Sequence, residues 1–170
     1  MLVGQPAPLE TERLLLRPIE PAHAGALWDV LRDPAIYTWI DRPPPESLHA
    51  LAQRFARISQ SMAPGRAEQW LNWTVWTRAD AQAVGIVEAT VTPAKVAHVA
   101  YMFAPQVWGK GYAREAMQAA LVAMSQSGAT AFEAVIDNRN ARSLALVQRL
   151  GFTRVDIDAA RNEERWRRES

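Results

Sequence analysis

The sequence predicts an α/β sandwich, with helices covering both faces of a mixed, mostly antiparallel sheet. Apolar positions alternate with period two over 71–76, and 84–91 and 96–103 are two more β-rich runs, the mark of strands. They step by three and four over 48–62 and 111–124, the mark of amphipathic helices. The order of these segments then sets a strand–helix–strand unit after an antiparallel run, and helices must cover such a sheet on both sides.

The elements follow in order. Residues 1–9 carry prolines and no periodicity, and read as a loose lead-in. Leu14, Leu15 and Leu16 lie between Arg13 and Arg17 and stop at Pro18, a short strand. Pro21 opens a helix at the position where its missing N–H costs nothing, and Asp33-Pro34 closes it. The run from Arg42 to Pro45 is a stiff loop. Leu48, Leu51, Phe55, Ile58 and Met62 then stripe one side of a helix that ends at Pro64-Gly65. Three strands follow, and Thr92-Pro93-Ala94-Lys95 turns the second into the third. An Ala-rich helix over 111–124, a strand over 131–137 and a helix over 139–150 come next; the charged tail, 152–168, adds one or two strands.

Composition narrows the function. The 170 residues fit a single domain over 1–170. With 49% hydrophobic and 22% charged residues, the chain has the balance of a packed core rather than a disordered chain. No cysteine is present, which excludes disulfide scaffolds, thiolate metal sites and cysteine nucleophiles. Three histidines argue against a multi-histidine centre, so no metal is expected. A net charge of +1 carries no signature of nucleic-acid or membrane partners. No apolar run approaches the roughly 20 residues of a membrane span, and the opening Met1-Leu2-Val3-Gly4-Gln5-Pro6 is no signal peptide. A cytoplasmic protein is the expectation.

Between the third strand of the meander and the Ala-rich helix stands Gln106-Val107-Trp108-Gly109-Lys110-Gly111-Tyr112-Ala113. A helix N-terminus presents unpaired N–H groups and a positive dipole end, a ready phosphate site. Gly109 and Gly111 let a ligand reach backbone, and Lys110 adds charge. The pair also fits a plain Gly-rich helix entry. The spacing matches neither the triphosphate loop nor the dinucleotide fingerprint.

Gln106-Val107-Trp108-Gly109-Lys110-Gly111 resembles the Gln/Arg-x-x-Gly-x-Gly/Ala signature of the GNAT superfamily of acyl-CoA-dependent N-acetyltransferases. Thr11-Glu12-Arg13-Leu14-Leu15-Leu16-Arg17-Pro18 resembles the opening strand of its ribosomal-protein N-terminal acetyltransferase branch. Tyr101-Met102-Phe103 is similar to the end of that branch's fourth strand. Asn140-x-x-Ser143 and Leu150-Gly151-Phe152 resemble its last helix and exit. The matches stand in order from about Thr11 to Phe152.

The resemblance implies a sheet splayed between the family's fourth and fifth strands, and acetyl-CoA as cofactor. It implies that Trp108, Gly109, Lys110, Gly111, Tyr112 and Ala113, introduced by Gln106, cradle the diphosphate. The backbone around Tyr101, Met102 and Phe103 would pair with the pantetheine arm and polarise the acetyl carbonyl. Asn140, just inside the last helix, could either cap it or contact the cofactor; spacing favours Asn138 as the cap, and the resemblance implies that Asn140 faces coenzyme A. Many members carry a tyrosine as general acid where this chain has Val147. Ser143 is the hydroxyl left to meet the sulfur, or else a helix serine bonding back to a carbonyl.

Amine acetylation needs an acceptor for the amine proton. If the 92–95 turn sets Thr92 opposite Val96, then Thr90 faces His98 and Glu88 faces Ala100. Glu88 and His98 thereby become diagonal neighbours on one face. Glu88, His98 and water are the three candidates; the family often has a glutamate at the position of His98. His23 and His49 are expected to face solvent.

Seven tryptophans are present. Trp73 is in phase with Leu71 and Val75 and reads as core. Trp39 beside the Pro-rich loop is the pocket candidate, with Asp41 and Glu46 near enough to hold an ammonium and Glu88 on the acceptor side. The acceptor is an amine, on a small molecule or a protein N-terminus. The chain would act as monomer or homodimer. A non-catalytic acyl-CoA-binding module and a plain interaction domain are the alternatives.

Overall fold

The computed structural model describes residues 5–63 and 67–170; the opening 1–4 and the helix-ending Pro64-Gly65 lie outside them. Among the described residues eight strands form one sheet in the order β1-β2-β3-β4-β5-β6-β8-β7. These are β1 (Leu9–Glu10), β2 (Leu14–Pro18), β3 (Gln69–Thr77), β4 (Ala83–Val91), β5 (Val96–Phe103), β6 (Ala131–Asp137), β7 (Thr153–Asp158) and β8 (Glu163–Glu169). The described residues also form four α-helices, α1 (Ala24–Leu31), α2 (Leu48–Ser61), α3 (Tyr112–Gln126) and α4 (Ala141–Arg149), and three short 3-10 turns at Pro21–His23, Pro34–Trp39 and Pro105–Val107. Pairing is antiparallel except between β5 and β6, which α3 connects. The charged tail forms two strands, and β8 inserts between β6 and β7.

Strand alternation sorts the side chains into two cores. Leu14, Leu16, Trp73, Val87, Val99 and Phe103 pack against Met117 and Leu121 of α3 and Val147 of α4. Ile86 and Met102 pack the other way, against Leu27 of α1 and Leu51 and Phe55 of α2. Each large side chain so buried stabilises by roughly 1.5–3 kcal/mol. Leu48, expected on the apolar stripe of α2, is exposed. It is the first residue after Ser47, whose hydroxyl caps the helix at Ala50 N–H, and it lies with its exposed neighbours Ser47 and His49 at the start of α2. Among the described residues no helix is long and apolar enough to cross a membrane.

The lead-in is less loose than its prolines imply. Pro6 is buried, β1 pairs with β2, and the Ala7 carbonyl accepts the Trp73 indole N–H at 2.9 Å. A buried indole needs a partner for its one donor, and this one is found outside the sheet.

The β4–β5 hairpin has the register its turn predicts. Thr92 N–H bonds Val96 O, Thr90 faces His98 and Glu88 faces Ala100. Gly85 on β4 is where two backbones crowd. A Cβ there would collide with the Met102 carbonyl and lie 2.8 Å from the Phe103 ring.

β5 and β6 part early. Their pairing covers only Val96–His98 against Ala131–Glu133, although β5 runs on to Phe103 and β6 to Asp137. The sheet is thus open in its middle, beside the N-terminus of α3.

Candidate active site

The glycine turn forms one wall of that opening. Gly109 and Gly111 have φ of 77° and 82°, left-handed values that glycine adopts without steric cost. The N–H groups of Gly109, Gly111, Tyr112, Ala113 and Arg114 have no acceptor among the described residues, the first helical bond of α3 being Glu115 N–H to Gly111 O. Five unfilled donors at the positive end of a helix fit a diphosphate. Trp108 and Lys110 differ from the expectation, because their N–H groups already bond Pro105 O and Val107 O. The Arg114 amide joins the set instead. Gln106 and Lys110 are exposed at the rim.

The N-terminal segment braces this turn. Glu115 accepts from the Thr11 hydroxyl at 2.6 Å, from Arg13 N–H at 2.8 Å and from Arg13 Nε at 2.7 Å. Arg13 also donates to the Lys110 carbonyl and stacks on the Tyr112 ring. Burial alone would raise the Glu115 pKa; the hydrogen bonds and charge of Thr11 and Arg13 outweigh it and hold the carboxyl below its usual range.

β5 forms the other wall. Ala104 N–H bonds Val84 O, so by strand alternation the even residues of β5 bond to β4 and the odd ones face β6. The Tyr101 N–H and C=O and the Phe103 N–H therefore point into the gap. Phe103 O is occupied by the Trp108 indole N–H at 2.9 Å. Met102, expected to offer its backbone here, spends it on the β4 ladder opposite Ile86.

α4 brings Asn140 and Ser143 to the same opening. Asn140, expected to face the cofactor, is itself the helix cap: its Oδ1 accepts Ser143 N–H at 3.2 Å. Asn138 lies two residues too early to serve. Ser143 makes no bond back to a helix carbonyl among the described residues. Its hydroxyl faces the Tyr101 phenol, which is buried without a hydrogen bond of good geometry. Burial pushes that phenol up to about 12, with Ser143 pulling slightly the other way. Tyr101 thus stays neutral at pH 7, its hydroxyl able to donate a hydrogen bond. The sequence signalled only its backbone, since Tyr101 on β5 and Ser143 on α4 meet only when α4 docks.

On the opposite face of β5, His98 and Glu88 line a cavity of about 560 Å³ together with Arg42, Arg54, Arg57 and Asn72. Glu88 Oε1 accepts from Arg54 at 2.6 Å, and Arg42 stands 3.7 Å from Oε2. One of its two oxygens is thereby hydrogen-bonded and the other is only paired at longer range. Burial, then the neighbouring Arg54, pulls the Arg42 pKa down. His98 is half exposed, with Nδ1 3.8 Å from Glu133. Asp41 and Glu46 are exposed and outside the cavity lining. Trp39 packs its ring 5.0 Å from the Arg139 guanidinium, which Asp137 holds at the end of β6. His49 is exposed as expected. His23 is not: it bonds the buried Thr74 hydroxyl at 3.1 Å and meets Trp76 edge-on. Burial lowers its pKa.

Residues 13–153 match the family model described as an acetyltransferase (GNAT) domain. The uncharacterized protein YkkB of Bacillus subtilis (strain 168) is 25% identical over 162 residues, spanning 85% of this chain and 84% of that protein. Among solved structures, RimL, a ribosomal L7/L12 alpha-N-protein acetyltransferase, has a TM-score of 0.83 at 16% identity, with 97% of this chain and 95% of that one covered. The Salmonella typhimurium acetyl transferase that modifies the N-terminal serine of 50S ribosomal subunit protein L7/L12 has a TM-score of 0.82 at 18% identity, covering 94% and 96%. At such identities the likeness is one of fold. The family match spans both walls of the open sheet, and the chain belongs to the GNAT family of acetyltransferases.

Proposed function

We propose that this chain moves an acetyl group from acetyl-CoA directly to a primary amine, without a covalent enzyme intermediate. The observation that carries the reading is the gap between β5 and β6 flanked by five unfilled amides. Acetyl-CoA supplies the acyl group as a thioester that an uncharged amine attacks. The amides of Gly109, Gly111, Tyr112, Ala113 and Arg114 bind its diphosphate. The free backbone groups of Tyr101 and Phe103 pair with the pantetheine amides, as an added strand would. An N–H of that run polarises the acetyl carbonyl.

His98 accepts the amine proton, directly or through water, because it stands in the cavity wall open to solvent. Glu88 acts as a positioning residue, holding Arg54 and Arg42. On the far side, Ser143 donates to the departing sulfur with the Tyr101 phenol beside it.

The test is thiol release from acetyl-CoA across a panel of amines, with acetylated products identified by mass. Thiol should appear only with an amine present, matched by N-acetyl product. Gly109→Glu should lose coenzyme A binding while its circular dichroism is retained. Coenzyme A bound equally by wild type and Gly109→Glu would remove the turn from the site.

A further inference from the structure

The cavity on the α2 side of the sheet has more donors than its own chain can satisfy. Three arginines line it, Arg42, Arg54 and Arg57, against one carboxylate, Glu88. Glu88 answers Arg54 closely and Arg42 at longer range. Arg57 has no carboxylate within 4.0 Å among the described residues. Two polar atoms in the same wall are buried with no partner among the described residues: Arg42 Nε, and Nδ2 of Asn72, a residue only 3% exposed. Both are donors, and leaving a buried donor unmade costs about 1–3 kcal/mol. Ile58, Trp70 and Ala100 supply an apolar side, and the volume is that of a small-molecule site. The His98 and Ala100 end lies on β5 next to its open edge.

We propose that the acceptor is a small primary amine that also carries a carboxylate or phosphate, its anionic group held by Arg57, Arg42 and Asn72 and its amine presented at His98. This rests on the transfer reaction proposed above and names its substrate class. An oxyanion accepts from guanidinium forks and from an amide NH₂ at once, which matches the unmet groups in number and kind. A simple alkylamine leaves them unmet, and a diamine adds repulsion.

The test compares kcat/KM for propylamine, β-alanine, 2-aminoethyl phosphate, 1,3-diaminopropane and a short peptide with a free N-terminus. β-Alanine or 2-aminoethyl phosphate should exceed propylamine at least tenfold, and their ratio tells carboxylate from phosphate. Arg57 is exposed on α2, so Arg57→Gln keeps the fold. It should reduce the anionic-to-neutral preference at least tenfold, mainly through KM, with Arg57→Lys recovering part and Arg57→Glu shifting preference toward the diamine. Equal rates for propylamine and β-alanine, or a preference for the diamine or the peptide, would overturn the proposal. A second readout separates it from the transfer reaction: calorimetric binding of N-acetyl-β-alanine and N-acetyl-2-aminoethyl phosphate to wild type and Arg57→Gln. Arg57-dependent binding of either without turnover of any amine supports the anion site and refutes the transfer. Absence of both refutes the anion site as well.

Discussion

Replacing Gly109 by alanine separates backbone strain from ligand contact. Its φ of 77° costs an L-residue roughly 1–2 kcal/mol, and a Cβ built there meets nothing within 4 Å, so no clash adds to it. For a chain of 170 residues, each kcal/mol lowers Tm by roughly 2–4 °C, giving a fall of about 2–8 °C. The new methyl projects beside the unfilled amides, and coenzyme A affinity should drop at least tenfold, about 1.4 kcal/mol. Gly128 is the matched control: φ is 99° and a Cβ again meets nothing. It lies past the far end of the 15-residue α3, about 22 Å along the axis. Gly128→Ala should cost similar stability and leave affinity alone. Differential scanning calorimetry and titration with coenzyme A read the two quantities. If both variants weaken binding equally, or neither does, the assignment of the diphosphate to this turn is refuted.

Tyr101→Phe removes a buried hydroxyl with no bond to lose, so stability should hold or rise by about 1 kcal/mol while kcat falls by up to about a hundredfold. Ser143→Ala should slow turnover rather than abolish it; unchanged kcat in both variants would remove the pair from thiolate protonation. Glu115→Gln should destabilise by about 1–3 kcal/mol at pH 7, at the lower end because Arg13 is half exposed. Since the folded carboxyl titrates below its unfolded value, that contribution is present above about pH 4.5 and is lost as pH falls through the folded pKa. Urea melts at pH 7 and pH 3 should therefore show the gap between wild type and variant closing. His23 has a depressed pKa, so the unfolded chain takes up its proton first and stability should decline as pH drops below about 6.5. His23→Gln should flatten Tm between pH 7 and 5, and an identical slope would count against the burial account.

Features set by nearby residues were legible, and features set by docking were not. The Thr92–Lys95 turn is local, so counting from it places Glu88 and His98 on one face, as the register shows. The unfilled amides follow from glycines next to a helix start. By contrast, Arg54 reaches Glu88 across 34 residues, and Arg42 arrives from a loop whose path depends on how α2 lies on the sheet. No periodicity carries that. The Asn138 and Asn140 assignments differ by two residues, within the uncertainty of any helix boundary read from sequence, yet that difference decides which amide caps α4. The Tyr101 phenol is not legible in the sequence, because a strand tyrosine in phase with Val99 and Phe103 looks like core until α4 brings Ser143 to it.

The parting of β5 from β6 has a further consequence for the protein's life between turnovers. A seam with unpaired main chain at its centre is an invitation to foreign strands, and only three residue pairs hold its closed end. A ligand seated there would bridge the two half-sheets and, by mass action, stabilise the folded state by RT ln(1 + [L]/Kd). The supply of that ligand thereby acts as a thermostat on the protein's own persistence.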